Sequence, residues 1–324
     1  LQGPGRCLAR GRCSAGSRHS RARVYSAGRS TTPLNREESA TRAHRRLLVQ
    51  PGTERSIVRA RHFRGHLTCA SAARVLGYPM WHPSREFHIA VPRDRSVRAS
   101  ASRPLTDVRI HRPATPTPMT VDDFPLVHPA EVVACALTCL DELDAICVAD
   151  AALNHGDTTK EEIAELLVGR YSKAARLRLD QADAAARSHV ETRTRLCLRE
   201  TGLRVETGVV LEGIGEVDAL VEGWLIVEDD GFEFHSSKEQ FVRDRHRDQR
   251  ALAAGYVPLR LTYDDVAAGE RAIVGIVSRA LQGIAHSQRL YIPETAPFCE
   301  IWVGCEGSSP LPCAQHPLTA HGRS

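Results

Sequence analysis

The chain has 324 residues, 42% of them hydrophobic, and a formal net charge of +4, which allows two domains with cores of their own. No apolar run reaches the roughly 18 residues that a membrane helix needs; the longest, residues 132–140, stops at Asp141. No membrane-spanning helix is expected from this sequence, and the expectation is a soluble, cytoplasmic chain.

The small net charge hides an asymmetry. Residues 1–100 carry 20 Arg against 5 acids (+15), and residues 101–324 carry 23 Lys and Arg against 34 acids (−11). The basic end suits phosphate contacts, while the acidic part needs cations near its clusters. The 10 cysteines include no C-x-x-C pair. Cys69, Cys135, Cys139, Cys147 and Cys197 lie in apolar settings and read as core thiols of a reducing compartment. Cys299, Cys305, Cys313 and His316 are too irregularly spaced to read as a zinc site.

Residues 1–58 are basic and begin in Arg, Ser and Gly with no acid before Glu37, so disorder is expected. An organelle transit peptide shares that composition, and a first residue of Leu rather than Met also fits a misassigned start. Order begins near Arg59. A short helix over residues 71–76 should stop at Gly77. Phe87, Ile89 and Val91 alternate with Glu86, His88 and Ala90, which predicts a half-buried strand with a partner at residues 108–111. The loop between them carries Arg93, Arg95 and Arg98, either solvated or laid on a nucleic-acid backbone. Pro129 opens a helical stretch running to residue 154, Thr159 and Glu162 form a capping box for the next helix, and another follows over residues 172–186. A flexible tail is expected from residue 287.

The chemistry lies in the segment after Ser188. Ser188 and Glu191 have capping-box spacing, so Glu191 either caps its helix, pairs with Arg195, or belongs to a site. Val217 and its neighbours form an apolar run behind turn residues Gly213 and Gly215, a hairpin signal that would lay Asp218 beside Glu228. Trp224, Leu225, Ile226 and Val227 make a buried strand that turns acidic at Glu228, Asp229 and Asp230. The strand period of two puts Glu228 and Asp230 on one face and Asp229 on the other. Carboxylates gathered at the end of a buried strand must protonate or find a cation, and Mg2+ or Mn2+ suits an all-oxygen set. Downstream, Phe241, Asp244, Asp248 and Leu252 share one helical face, with Arg243 and Arg247 placed to pair with its acids. A returning strand over residues 255–262, in an edge or irregular position because of Pro258, precedes a last helix from Asp264.

This order of elements and acids resembles a Vsr-like endonuclease domain, related to very-short-patch-repair enzymes within the PD-(D/E)xK restriction-endonuclease-like superfamily, over about residues 185–285. The region from about 60 to 180 resembles the segment that accompanies such domains in many bacterial proteins and is similar to the C-terminal part of abortive-infection (AbiEi-type) antitoxins, although no winged helix is legible in residues 1–55. The resemblance implies an α/β fold, with a restriction-endonuclease-like mixed sheet flanked by helices over 185–286 after a smaller α+β and helical module over 59–184. It makes Asp218 and Glu228 metal ligands for Mg2+ or Mn2+, Asp230 a further acidic member, His235 a general base and Glu191 a site residue, with Asp244, Arg247 and Asp248 in support. Its usual E-x-K is here Glu228-Asp229-Asp230, with an acid in the lysine position; Vsr-like members also lack that lysine. The expected activity is metal-dependent hydrolysis of DNA phosphodiesters by an endonuclease or nickase. The alternative is a non-catalytic DNA-binding regulator of antitoxin type with a toxin-like protein partner.

Overall fold

The computed structural model of the chain describes residues 24–26, 41–44, 47–49, 53–101, 104–114, 116–170, 172–230 and 238–290, with backbone alone before residue 53 and over 238–241 and 284–290. The expected tail lies almost wholly outside these residues. Within the stretch read as disordered, β1 (Val24–Ser26), β2 (Thr41–His44) and β3 (Leu47–Val49) pair as a small antiparallel sheet in the order β1-β3-β2, and helix α1 (Arg55–His62) already starts at Arg55.

The first unit continues with β4 (His66–Leu67), α2 (Cys69–Leu76), β5 (Phe87–Ala90), β6 (Val108–His111), β7 (Pro118–Val121) and β8 (Phe124–Val127). Its mixed sheet runs β6-β5-β4-β8-β7. Gly77 ends α2 as expected, at φ +78°, where its N–H returns to the last turn and no Cβ opposes the left-handed backbone. The strand at Phe87–Ala90 is buried on both faces rather than half-buried. Phe87 and Ile89 join Phe63, Val91 and Val108 on one side, while Ala90 packs with α2 on the other. Four helices follow: α3 (Pro129–Cys139), α4 (Glu142–Asn154), α5 (Lys160–Leu166) and α6 (Ser172–Gln181). The stretch expected as one helix is thus two. Leu140 takes an extended backbone and the Asp141 carboxylate accepts from Asp144 N, so the aspartate caps a new helix instead of continuing the old one. The capping box of Thr159 and Glu162 forms with both reciprocal bonds.

The second unit is α7 (His189–Glu200), β9 (Val205–Leu211), β10 (Gly215–Val221), β11 (Leu225–Asp230), α8 (Lys238–Ala253), β12 (Val257–Thr262), α9 (Tyr263–Ala267) and α10 (Glu270–Leu290). Three strands form an antiparallel meander, and β12 adds parallel to β11 at the sheet edge, one of the two positions expected for Pro258, giving the order β12-β11-β10-β9. Glu222 and Gly223, at φ +53° and +78°, make the tight turn between β10 and β11. Val190, Leu198, Leu225, Val227, Leu261, Ile273 and Val277 form one core face, under α7 and α10. Ile226, Leu220 and Ala251 form the other, under α8. Burying Leu225, Ile226 and Val227 stabilises the centre of this sheet by about 1.5–3 kcal/mol for each side chain. The last helix is split by Gly269, at φ +103°, with Thr262 and Asp265 boxing the short α9.

The protein is therefore a mixed α/β chain with two mixed sheets flanked by helices. A buried ion pair joins its units: Arg195 of α7 donates to Asp150 of α4 at 2.7 Å and to Gln181 O at 2.6 Å, and Thr192 donates to the same Asp150 oxygen. Beside it, Trp81 stacks on Tyr263, 5.6 Å between centroids, under the Arg193 guanidinium. No helix among the described residues is long and apolar enough to cross a membrane.

Candidate active site

Strand β11 emerges from the core as Glu228, Asp229 and Asp230, and its alternation is the expected one. Glu228 meets Arg247 of α8 at 3.0 Å, Asp230 meets Arg260 of β12 at 3.0 Å, and Asp229 turns to the opposite face, where Thr194 of α7 donates to it at 2.8 Å. The last ladder pair of the β10–β11 hairpin is Ala219–Val227, which puts Asp218 and Glu228 next in line. Asp218 Oδ2 instead accepts the backbone N–H of Asp229 at 3.0 Å. One oxygen of Asp218 thus has a structural task, replacing a ladder acceptor. The apolar faces change sides here too: Val217 packs under α8, whereas Ala219 packs under α7.

At this sheet end the Asp218 charge acts on three carboxylates of β11 and α7, Glu228, Asp229 and Glu191. Burial pushes Glu228 up to about 7, reinforced by the Asp218 charge and opposed by Arg247. Burial also pushes Asp229 up to about 7; Asp218, Glu191 and Glu228 add to this, and the Thr194 hydroxyl works against it. Glu191 is raised by burial and by Asp218, against a hydrogen bond from Arg187 N. Positive charge is short here. Glu228 has Arg247, but among the described residues no cation contacts the carboxylates of Asp218, Asp229 or Glu191.

Several expectations need correction in detail. Ser188 does cap α7 by accepting from Glu191 N, but the backbone N–H that the Glu191 carboxylate takes is that of Arg187 and not that of Ser188, so no reciprocal box forms. Glu191 does not pair with Arg195, whose guanidinium is committed to Asp150. On α8 the inward anchor beside Arg247, Asp244 and Asp248 is Ala251, while Leu252 is exposed. The Asp248 carboxylate takes Arg260 at 2.9 Å and Arg245 at 3.5 Å, and Arg247 reaches across to Glu228 rather than staying on its own helix. His235 lies outside the described residues. In the basic loop, Arg93 and Arg95 donate to carbonyls of Arg112 and Arg64, so they brace local backbone.

Sequence reasoning passed over Asp229, Thr194 and Arg260 in this site. A two-residue strand period does send Asp229 toward the helix that precedes the sheet, but Arg260 carries no signal beyond its parallel pairing with Glu228. It also passed over a second convergence. Cys69, His88, His111 and Cys139 bring their ligand atoms within 4.8 Å of one another, so these two thiols are not simple core filler. The Asp218 and Glu228 region supplies no comparable group of three among the described residues. Comparison with family models, curated proteins and solved structures returns no match for the chain.

Proposed function

We propose that the second unit is a metal-dependent DNA endonuclease or nickase with a restriction-endonuclease-like core. The observation that carries this reading is the gathering of Glu228, Asp229 and Glu191, each raised by burial and by the Asp218 charge beside them, at the end of the sheet with too little positive charge of their own. The element order, a helix, three meandering strands, a helix and a parallel strand, supports it and agrees with what the Vsr-like resemblance implies.

The residues present suit a hard divalent cation. Asp218 and Glu228 each use one oxygen, for Asp229 N and Arg247, and no partner among the described residues engages the other. These two oxygens would hold Mg2+ or Mn2+, which supplies charge neutralisation at the phosphate and an activated water. Arg247 fixes the Glu228 carboxylate. Arg260, between Asp230 and Asp248, brings a cation beside the position where an E-x-K motif would carry lysine. His235, close behind β11 in the sequence, is the proposed proton acceptor from the attacking water. Water attack on phosphorus breaks one P–O ester bond, and the leaving alkoxide takes a proton.

Calorimetric titration of Mn2+ into the full-length chain tests the site. Binding that disappears in both Asp218→Asn and Glu228→Gln supports it. Heat unchanged in both variants would remove the catalytic reading and leave the DNA-binding regulator.

A further inference from the structure

On other elements than the acidic strand, the first unit gathers soft donors that the nuclease reading does not use. We propose that Cys69, Cys139, His88 and His111 form a closed structural site for one Zn2+ ion.

The four come from four separate elements: the first residue of α2, the end of α3, and neighbouring positions on β5 and β6. Their ligand atoms all lie within 4.8 Å of one another. His88 Nδ1 is 3.0 Å from His111 Nε2 and 3.9 Å from Cys139 Sγ. Tetrahedral zinc with bonds of about 2.0–2.3 Å sets its ligands roughly 3.3–3.8 Å apart, so small adjustments accommodate the ion. The outward side of each imidazole is held as a metal-bound histidine requires. Ser84 Oγ lies 3.1 Å from His88 Nε2, and Cys135 Sγ lies 3.0 Å from His111 Nδ1. A proton on each of these outer nitrogens leaves the inner pair free to ligate. Arg109 reaches Cys139 Sγ at 4.0 Å and supports its thiolate.

Burial sharpens the case. Cys69 is fully buried and His88 is 2% exposed, amid alanine- and valine-rich packing from α2 and α3. Two imidazoles facing each other with two thiols in such a place are poor filler, whereas two thiolates neutralise a divalent ion. Cys69 itself sits at φ +48°, a backbone state uncommon for a residue with a Cβ and frequent where a side chain must be aimed. Four protein donors leave no open position, so the ion's contribution is to folding: it ties α2 and α3 to the β5–β6 edge.

The test is metal analysis of the full chain purified without chelator. Near-stoichiometric zinc is expected, retained in Cys197→Ser and in Asp218→Ala, which separates this site from the acidic one. Loss is expected in Cys139→Ser and His88→Asn, and Ser84→Ala should weaken zinc about 10–100-fold. Should the ligand variants fail to fold, the wild-type chain still decides: Co2+ exchanged for zinc should give tetrahedral d–d bands and a thiolate charge-transfer band. A folded chain with no zinc and no such spectrum, or with Cys69 in a disulfide by mass spectrometry, overturns the proposal.

Discussion

Asp229→Asn should stabilise the protein, and by an amount that depends on pH. The carboxyl of Asp229 is pushed from an ordinary 3.8 up to about 7, chiefly by burial. Below the unfolded value the residue is protonated in both states and contributes no penalty. Between the two values folding takes up a proton, so stability falls as pH rises, and above about 7 the full penalty stands. Keeping the buried carboxylate ionised at pH 8 then opposes folding by roughly 2–4 kcal/mol. Asparagine removes the charge, and its carbonyl can still accept the Thr194 hydroxyl. Thermal unfolding at pH 8 should rise by about 5–10 °C, and the gain should vanish near pH 4. An equal gain at both pH values, or none at pH 8, would refute the claim that uncompensated charge strains this strand.

Asp150→Ala leaves the Arg195 guanidinium buried without its carboxylate, so it should destabilise by about 3–5 kcal/mol, read as a lowered melting temperature. Gly208→Ala places a Cβ 2.7 Å from that of Ala185 on a backbone at φ +59°; a loss of about 1–3 kcal/mol is expected by chemical denaturation. Thr159→Ala removes a cap that accepts from Glu162 N, with an expected loss of about 1 kcal/mol in the same assay.

The acidic strand was legible because it depends on local rules. Four apolar residues followed by three acids make a buried strand whose end is charged, and alternation then assigns Glu228 and Asp230 to one face and Asp229 to the other. The caps at Thr159 and Gly77, and the edge position of Pro258, were legible for the same reason. Long-range pairings were not. Arg195 has a glutamate one turn away in its own helix, but its partner is Asp150, 45 residues earlier. The face of α8 was read one residue off, with Leu252 in place of Ala251, because hydrophobicity suggested an anchor that the packing does not use. Cys69, His88, His111 and Cys139 span about seventy residues without compact ligand spacing, and only the pairing of β5 with β6 under α3 brings them together. The C-x-x-x-C spacing of Cys135 and Cys139 on one helix face is the available signal, and the apolar residues around it point equally to packing.

Plasmid cleavage tests the nuclease most directly. The full-length chain is incubated with supercoiled DNA and Mg2+ or Mn2+, beside Asp218→Ala, Glu228→Ala and an EDTA control. Conversion to nicked or linear DNA by the wild-type chain alone, and only with metal, is the expected result. Intact plasmid with a folded, metal-loaded protein, or equal cleavage by both variants, would contradict the assignment of catalysis to this acidic strand.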